Sequence, residues 1–467
     1  MRKVALHNLG CKVNSYELDV IGQKLEEKGY TIVPFDEKAD VYIINTCTVT
    51  NIADRKSRQM LHQAKKRNPE AVVVAAGCYV QTGKEQVLAD AGIDLAIGNN
   101  KKKDLVEILE AYLADREGSC SFDKTMNDTS VIDINATFDY EEMQLTHTAE
   151  HTRAYIKVQD GCNQFCSYCI IPFARGRVRS RHLESIRQEI EGLAAAGYKE
   201  IVLTGIHISS YGIDFEDDAW TMGQCVDKPQ INERQDYSGA SKLLELIERI
   251  HNIPGIERIR IGSLEPRIVT AESAKRLAAL PKLCPHFHLS LQSGCDETLK
   301  RMNRRYNTAQ FKESVQALRN AFGNPAVTTD VIVGFPAETE EEFAATVEYL
   351  EELSLYEMHI FKYSMRKGTR AAAMKEQVLE AVKTRRSGVL LEMEARKSRE
   401  YRGQFVGKTV SVLFEESKEI QGKTYMIGHT REYVKVAVET KEKLTNQILE
   451  VAVNGFSTDD ILIGQLL

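Results

Sequence analysis

Three cysteines stand close together in the run DGCNQFCSYC, which directly follows the strand-like segment RAYIKVQ. Cys162, Cys166 and Cys169 have a CxxxCxxC spacing, with which three thiolates can bind an iron–sulfur cube and leave its fourth iron without a protein ligand. Such an open iron can bind and activate a substrate, whereas a cluster held by four cysteines mainly transfers electrons. Because loops at the carboxyl ends of barrel strands converge on one mouth, this position also favours a β/α barrel with its site at that edge.

A zinc site is the alternative for these three cysteines, and it requires a fourth cysteine or histidine nearby. No cysteine follows closely in the chain, although His182 or His207 could fold back onto the loop.

The size and composition of the chain limit the class of protein. A length of 467 residues is too great for one ordinary core, so roughly two to four domains are expected. The N-terminus turns polar by His7, and no apolar run approaches the roughly 20 residues of a membrane helix. We therefore expect no membrane association and a cytoplasmic protein, in which the ten cysteines stay reduced and clustered ones bind metal. The formal net charge of -6 argues against a wholly basic nucleic-acid binder, although not against a local basic track.

Hydrophobic patterning indicates an α/β protein of several domains. Residues 1–115 alternate apolar strand candidates with helical periodicity, which predicts a parallel sheet covered by helices. The polar, aperiodic residues 116–150 are predicted to form a linker that wraps a neighbour. Residues 151–372 repeat the strand–helix pattern six times, which predicts a partial (β/α)6 barrel with a lateral opening. Within them, residues 213–238 interrupt the pattern and are predicted to be an insertion loop.

The C-terminal part of the chain has a different pattern. Residues 373–401 combine many charges with an apolar stripe and are predicted to form a helical connector. Residues 402–467 contain five short strand candidates separated by turn residues, which is typical of a small antiparallel β-barrel. Such barrels commonly bind oligonucleotides, but this segment is not basic, so its charge gives no independent support for RNA binding.

A second set of three cysteines is dispersed along the first domain. Cys11, Cys47 and Cys78 each stand just past the end of a parallel-strand candidate, in HNLGCKVN, IINTCTVT and VAAGCYVQ. Strand ends in an open α/β sheet form its ligand crevice, so these cysteines are predicted to meet there and hold a second cluster with an open iron. The alternative is that each is a small buried hydrophobic residue. Four further cysteines lack this setting and are left out: Cys120, Cys225, Cys284 and Cys295.

Polar residues at later strand ends suit the mouth of a barrel, and each has the alternative of a purely structural role. These are Thr204, Gly205, Ser263, Glu265, Ser290, Gln292 and Asp330. A basic run beside the central cysteines is predicted to contact RNA phosphate, with a solvated charged face as the alternative. The run consists of Arg175, Arg177, Arg179 and Arg181, and a second candidate consists of Arg301, Arg304 and Arg305.

These motifs together resemble a known family over nearly the whole chain. NLGCKVN, NTCTVT and AGCYVQ are similar to the N-terminal domain of the methylthiotransferases, and DGCNQFCSYCIIPFARGRVRSR resembles the radical S-adenosylmethionine (SAM) core. The terminal barrel resembles a TRAM domain. KVQDGCNQFCSYCIIPFARG and VLTGIH are most similar to the MtaB-like tRNA N6-threonylcarbamoyladenosine methylthiotransferases. The insertion at 213–238 departs from the family pattern.

The resemblance implies an enzyme with two [4Fe–4S] clusters and SAM as cofactors. It implies that Tyr168, just before the third central cysteine, lies near the cofactor adenine, and that the cofactor crosses the rim at Thr204 and Gly205. The implied substrate is N6-threonylcarbamoyladenosine at position 37 of tRNA, which receives a methylthio group at C2. Implied partners are tRNA, a low-potential electron donor of flavodoxin or ferredoxin type, and a sulfur donor system. Because adenine C2 carries an unactivated C–H bond, a radical route suits this reaction better than acid–base catalysis.

Two other functions remain open at this point. The same chemistry could modify isopentenyladenosine of tRNA or an aspartate of a ribosomal protein. In another class, a non-catalytic iron–sulfur RNA-binding redox sensor would account for the clusters and the terminal barrel, but not for an open-iron loop at the active edge of a barrel.

Overall fold

The computed structural model describes residues 2–118, 130–147, 152–215, 240–420 and 422–467. Its order of elements confirms the predicted fold class: a parallel α/β domain, a partial β/α barrel and a small terminal β-barrel. Most of the insertion predicted at 213–238, together with Cys120 and Cys225, lies outside the described residues. Across the described ranges, none of the helices combines the length and the apolar composition that crossing a membrane requires.

The first domain is a five-stranded parallel sheet in the order β2-β1-β3-β4-β5. Its strands are β1 (Lys3–Asn8), β2 (Thr31–Val33), β3 (Val41–Thr46), β4 (Val72–Gly77) and β5 (Leu95–Ile97). Its helices are α1 (Lys12–Glu27), α2 (Asn51–Arg67), α3 (Cys78–Thr82), α4 (Lys84–Leu88) and α5 (Leu105–Arg116). Every residue of β3 and β4 is buried, as expected where helices cover both faces of a parallel sheet.

The segment predicted to be a linker packs against its neighbours where it is described. The hydroxyl of Tyr140 donates to the carbonyl of Lys157 at 2.7 Å. The amide of Gln81, in the first domain, donates to the carbonyl of Ile132 at 2.8 Å. The described part of this segment therefore bonds to both the first domain and the central barrel.

The central domain consists of two arcs of strands covered by helices. The strands are parallel except for the short β7, which pairs antiparallel with β6. Its strands are β6 (Arg153–Asp160), β7 (Arg179–Ser180), β8 (Glu200–Gly205), β9 (Arg258–Ile261), β10 (His286–His288), β11 (Ala326–Val333) and β12 (Glu357–Lys362). Its helices are α6 (Ile171–Arg175), α7 (Leu183–Ala195), α8 (Ala240–His251), α9 (Ala271–Ala278), α10 (Asp296–Arg301), α11 (Thr308–Phe322) and α12 (Glu340–Leu353). Isolated parallel bridges, Ile259 to Leu283 and Leu264 to Leu289, connect the two arcs.

Alternation along these strands decides which side chains face the interior of the barrel, here called the lumen. Ile201, Leu203, Ile259 and Phe287 belong to the apolar core under the helices. Because successive side chains point to opposite faces of a strand, their neighbours face the lumen. The lumen-facing neighbours include Glu200, Thr204, Arg258, Arg260, His286 and His288.

The C-terminal part begins with the long helix α13 (Glu380–Gly403) and continues as a closed five-stranded barrel. Its strands are β13 (Thr409–Ile420), β14 (Lys423–His429), β15 (Lys435–Glu439), β16 (Ile448–Thr458) and β17 (Ile461–Leu466). The barrel is antiparallel except for β15 and β17, which pair in parallel. Strict alternation cannot close a ring with an odd number of strands, so one parallel pair is a geometric necessity.

This terminal barrel covers the amino-terminal ends of the central strands. Arg258 donates to the carbonyl of His429 at 2.9 Å and to the carbonyl of Ser411 at 2.9 Å. Arg260 donates to the carbonyl of Thr430 at 2.7 Å. The lumen is therefore closed from below, at the end opposite the predicted cysteine loop.

Candidate functional site

The central cysteine loop turns sharply as soon as β6 ends. Gly161 has a φ of +70°, and a Cβ there would lie 1.7 Å from the carbonyl oxygen of Arg177, so only glycine fits. The backbone N–H of Cys162 donates to the carbonyl of Gly176 at 3.0 Å. The loop is thereby folded back against the segment that follows α6.

Three further hydrogen bonds connect residues 165–167 of this loop with residues 302–304. The backbone N–H of Ser167 donates to the carbonyl of Met302 at 3.0 Å, and the Asn303 amide donates to the carbonyl of Phe165 at 3.0 Å. Arg304 donates from Nη1 to the sulfur of Cys166 at 3.1 Å. The sequence offered Arg304 only as a phosphate contact, whereas its guanidinium serves the cysteine loop.

The three central thiols lie close enough to affect one another. Burial, with Cys166 and Cys169 nearby, raises the pKa of Cys162 far above its usual range. Burial and the neighbouring Cys166 raise the pKa of Cys169 to about 12. Converging thiols, two of which have a raised pKa, suit a cationic metal centre, which binds thiolates and displaces their protons.

The second set of cysteines converges at the carboxyl edge of the first sheet. Cys11 follows β1, Cys47 follows β3, and Cys78 begins α3 directly after β4. These strands are adjacent in the sheet, so their ends lie side by side. A Cβ placed on Gly10 would lie 3.1 Å from the sulfur of Cys47, which shows how closely the first loop approaches the second.

Electrostatics confirms that these three thiols share one environment. Burial, with the Cys78 thiol nearby, raises the pKa of Cys11. Burial raises the pKa of Cys47 to about 11, with contributions from Cys78 and Cys11. Cys11 remains accessible to solvent although protein surrounds it, which describes a residue inside a cleft.

Helix α6 connects the two cysteine sets. It follows the central loop directly, and α3, which begins with Cys78, packs against it. The side chain of Asn99 donates to the sulfur of Cys78 at 3.5 Å and to the carbonyl of Ala174, in α6, at 2.7 Å. Both sets therefore adjoin the same short helix, and sequence reasoning missed the contribution of Asn99.

The spacing of the sulfurs favours a cluster over a single ion. Sulfurs around one zinc lie roughly 3.8 Å apart, given its tetrahedral geometry. Among the described residues, neither cysteine set brings its three sulfurs within 4.8 Å of one another, and the group that meets this limit is His288, Asp330 and His359. A polynuclear cluster accepts ligands that are spaced more widely, so both cysteine sets fit an iron–sulfur cube.

One of the predicted cofactor residues lies directly beside the cysteine loop. Glu265 is buried and accepts from Gln164, within the loop, at 3.5 Å and from Arg267 at 2.6 Å. Burial raises the pKa of Glu265, but His207 and Arg267 overcome this effect and lower it to about 2. The site thus keeps an ionised carboxylate next to the central cysteines.

The other predicted cofactor residues lie around the same rim with different exposure. Thr204 and Gln292 are buried, Gly205, Ser290, Asp330 and Tyr168 are half-buried, and Ser263 is exposed. Tyr168 packs edge-on against Phe335, with ring centroids 6.4 Å apart. A Cβ on Gly205 would lie 2.8 Å from the side-chain oxygen of Gln159, so a side chain there would displace that residue. Cofactor binding by this group stays a prediction.

The structure corrects the interpretation of the arginine run. Arg175, Arg179 and Arg181 are completely buried, so the prediction that they contact tRNA phosphate is wrong. Arg181 forms an ion pair with Glu189, and the other two face Asp160. Their charges are matched inside the protein, and only Arg177 of the run retains exposure.

Arg175 belongs to a buried ionic network between the first domain and the barrel. It lies 2.9 Å from a carboxylate oxygen of Glu17, on α1, and 3.1 Å from one of Asp160, at the end of β6. Lys157 and Lys102 also pair with Glu17. Burial raises the pKa of the Glu17 carboxyl, but the Arg175, Lys102 and Lys157 charges overcome this effect and hold it well below its usual range.

Two family models match the chain in the order of its domains. The model of the radical SAM superfamily matches residues 156–350, and that of "Uncharacterized protein family UPF0004" matches residues 3–98. The fold and the cysteine sites thus define a radical SAM enzyme with an additional N-terminal domain.

Relatives that match this chain along nearly its full length identify the family within this class of enzymes. The chain is 39% identical over 454 residues to the "Threonylcarbamoyladenosine tRNA methylthiotransferase MtaB" of Bacillus subtilis, covering 97% of this chain and 94% of the relative. It is 30% identical over 463 residues to the "tRNA-2-methylthio-N(6)-dimethylallyladenosine synthase" of Pelotomaculum thermopropionicum, covering 97% and 96%. The chain therefore belongs to the radical SAM methylthiotransferase family, whose members carry two [4Fe–4S] clusters and use SAM.

A solved structure agrees on the fold. The radical SAM methyltransferase TsrM from Kitasatospora setae superposes with a TM-score of 0.53 over 77% of this chain and 75% of that chain, at 18% identity.

The ionic network gives a prediction for stability. Replacement Glu17→Gln leaves Lys102, Lys157 and Arg175 with one buried carboxylate fewer and should lower the free energy of unfolding by about 3–5 kcal/mol. Because the pKa of Glu17 is lowered by folding, its contribution is present above about pH 4 and is lost as the pH falls below that value. Urea denaturation at pH 7.5 and at about pH 2.5, well below the unfolded pKa, measures both effects. Glu27→Gln, at an exposed position of the same helix, is the matched control, and an equal loss in both variants would refute the assignment.

Proposed function

We propose that this chain methylthiolates C2 of N6-threonylcarbamoyladenosine at position 37 of tRNA. The observation that supports the proposal is that two sets of three cysteines, each following strand ends, adjoin the same short helix α6. The MtaB relatives of Bacillus subtilis and Aquifex aeolicus, at 39% and 38% identity, support threonylcarbamoyladenosine as the substrate. The dimethylallyladenosine synthases in the same comparison are 30% to 33% identical, which makes an isopentenyl-type adenosine the second candidate.

Each cysteine set has a distinct role in this proposal. Cys162, Cys166 and Cys169 would hold the cluster that binds SAM, while the three cysteines of the first domain would hold the auxiliary cluster. When bound, these groups supply one-electron cleavage of SAM and the sulfur that is transferred. The chain itself must hold both groups and the adenine in one enclosed space, because a radical that escapes into solvent is lost.

The residues around the central loop prepare this space. The bond from Arg304 to the Cys166 sulfur fixes the orientation of that ligand and places a positive charge beside an anionic centre. Glu265 stays ionised at the rim, where it can accept hydrogen bonds from hydroxyl or ammonium groups of the cofactor. Tyr168, packed on Phe335, offers an aromatic wall for the cofactor adenine.

The RNA contact that remains from the arginine run is Arg177. Its guanidinium lies over the ring of Phe165 at 4.6 Å, and Phe173 beside it is 46% exposed. An arginine and an exposed aromatic ring next to the cysteine loop suit a phosphate and a stacked base of the anticodon loop. A low-potential flavodoxin or ferredoxin and a sulfur donor system are the further partners that the reaction requires.

Substitutions in the two cysteine sets should have different effects on SAM cleavage and on sulfur insertion. Cys166→Ala should abolish formation of 5′-deoxyadenosine from SAM, because the cluster that binds the cofactor loses a ligand. Cys47→Ala should retain part of this cleavage but produce no methylthio nucleoside. Anaerobic assays with dithionite, SAM and tRNA measure both products, and Cys284→Ala, at a buried cysteine outside both sets, is the control. Normal sulfur insertion by Cys47→Ala would contradict the role of the auxiliary set, and a non-catalytic sensor would form no 5′-deoxyadenosine in any variant.

The substrate is tested by nucleoside analysis of tRNA from a strain that lacks the gene. Mass spectrometry should show loss of 2-methylthio-N6-threonylcarbamoyladenosine and accumulation of its precursor, while 2-methylthio-isopentenyladenosine stays unchanged. The opposite pattern would identify the isopentenyl nucleoside as the target. If neither changes, a protein substrate such as a ribosomal aspartate replaces tRNA.

A further inference from the structure

The floor of the lumen, where the terminal barrel meets the central strands, is built around Tyr433. The Tyr433 ring stacks on His429 at 4.3 Å and on His286, from β10, at 5.1 Å. The guanidinium carbons of Arg153 and Arg260 lie 4.9 and 4.8 Å from its centroid. Two arginines and a histidine from three strands of the barrel therefore converge on one aromatic ring.

The two arginines differ in how their donors are used. Arg260 donates to Glu200 at 2.7 Å and to the carbonyls of Arg431 and Thr430 at 2.8 and 2.7 Å, so it fastens the two barrels together. Arg153 is 17% exposed, and its Nη1 atom lies 3.5 Å from a Glu415 oxygen. Among the described residues, this buried Nη1 has no hydrogen-bond partner. Arg153 therefore has an N–H group available for a further hydrogen bond, whereas almost all N–H groups of Arg260 are already used.

His286 contributes a second buried nitrogen to the same place. Within the described part of the chain, its Nδ1 atom lacks a hydrogen-bond partner. Buried polar nitrogens are costly unless they are satisfied. The guanidinium nitrogen of Arg153 can only donate, and Nδ1 of His286 donates in one of its two tautomers, so a ligand with acceptor oxygens would satisfy both.

The charges at the floor do not balance. Four cations interact here with two carboxylates: Lys12, Arg153, Arg258 and Arg260 face Glu200 and Glu415. The cavity beside Arg153 and Tyr433 is also lined by two further cations and three further carboxylates, Arg402, Lys435, Glu357, Glu416 and Asp460. A positive excess in a partly desolvated space attracts an anion. Lys12 connects this group of cations with the predicted auxiliary-cluster site, because it follows Cys11 directly in the chain, at the start of α1.

The proposed substrate carries the anion that this place lacks. The N6 substituent of threonylcarbamoyladenosine ends in a carboxylate, whereas an isopentenyl substituent is wholly apolar. We propose that the lumen floor is a carboxylate-binding subsite, in which Arg153, with Lys12 and His286 beside it, binds the threonyl carboxylate of the substrate. This inference rests on the proposed function and adds the residues that select the nucleoside.

The test uses the full-length enzyme with both clusters reconstituted and synthetic anticodon stem-loops. One stem-loop carries threonylcarbamoyladenosine, and the second carries its neutral threonine-amide counterpart. Arg153→Gln should lower kcat/KM for the acid on the order of 100-fold, the effect of removing a hydrogen-bonded charge. The kcat/KM for the amide stem-loop should stay almost unchanged, so the variant should lose the preference for the acid. Arg153→Lys should restore part of this preference. Arg187→Gln, exposed on α7, is the matched control and should keep the wild-type preference.

The results of this experiment distinguish a failure of the subsite proposal from a failure of the proposed function. If Arg153→Gln keeps the preference, or loses activity on acid and amide equally, the subsite is wrong even though the wild type methylthiolates threonylcarbamoyladenosine. If the wild type acts on an isopentenyladenosine stem-loop and not on the acid, the proposed function itself fails. Iron content and thermal unfolding show whether the Arg153→Gln variant is misfolded. If it is, Lys12→Gln, at the start of α1, is compared in the same way on the acid and amide stem-loops. An unaltered preference in a folded Lys12→Gln protein would then reject the subsite.

Discussion

The contact of Arg175 with Glu17 and Asp160 is the interaction on which the arrangement of this protein depends. It joins α1 of the first domain, the end of β6 and the short helix α6 in a region that excludes water. Buried charges tolerate little misplacement, because a displaced partner leaves the other without compensation. The network therefore holds α1, the end of β6 and α6 in one fixed arrangement. In the proposed function, this arrangement keeps the two cysteine sets at a constant distance from each other.

The terminal barrel has a second structural consequence. It closes the amino-terminal end of the lumen through backbone carbonyls that accept from Arg258 and Arg260. In the described part of the chain the first and last strands of the central barrel, β6 and β12, do not pair, so the barrel has a lateral gap between them. A domain whose fold is typical of oligonucleotide binding thus also closes one end of the central barrel.

Much of this architecture could be predicted from the sequence because it follows from local patterns. The period of the apolar residues predicted the strands, and the cysteines lie in loops that follow the ends of parallel strands. The burial of Arg175 could not be predicted in this way, because a run of arginines looks the same whether carboxylates or water surround it. Its partner Glu17 is 158 residues away along the chain. The bond from Arg304 to Cys166 likewise depends on packing between distant loops.

Iron and sulfide quantitation on anaerobically purified protein tests the central claim most directly. The wild type should contain about eight irons per chain, and each of two triple alanine variants, one for each cysteine set, should contain about four. Each variant would then have lost one cluster without losing the other. Eight irons in either triple variant, or stoichiometric zinc in the wild type, would contradict two independent three-cysteine cluster sites.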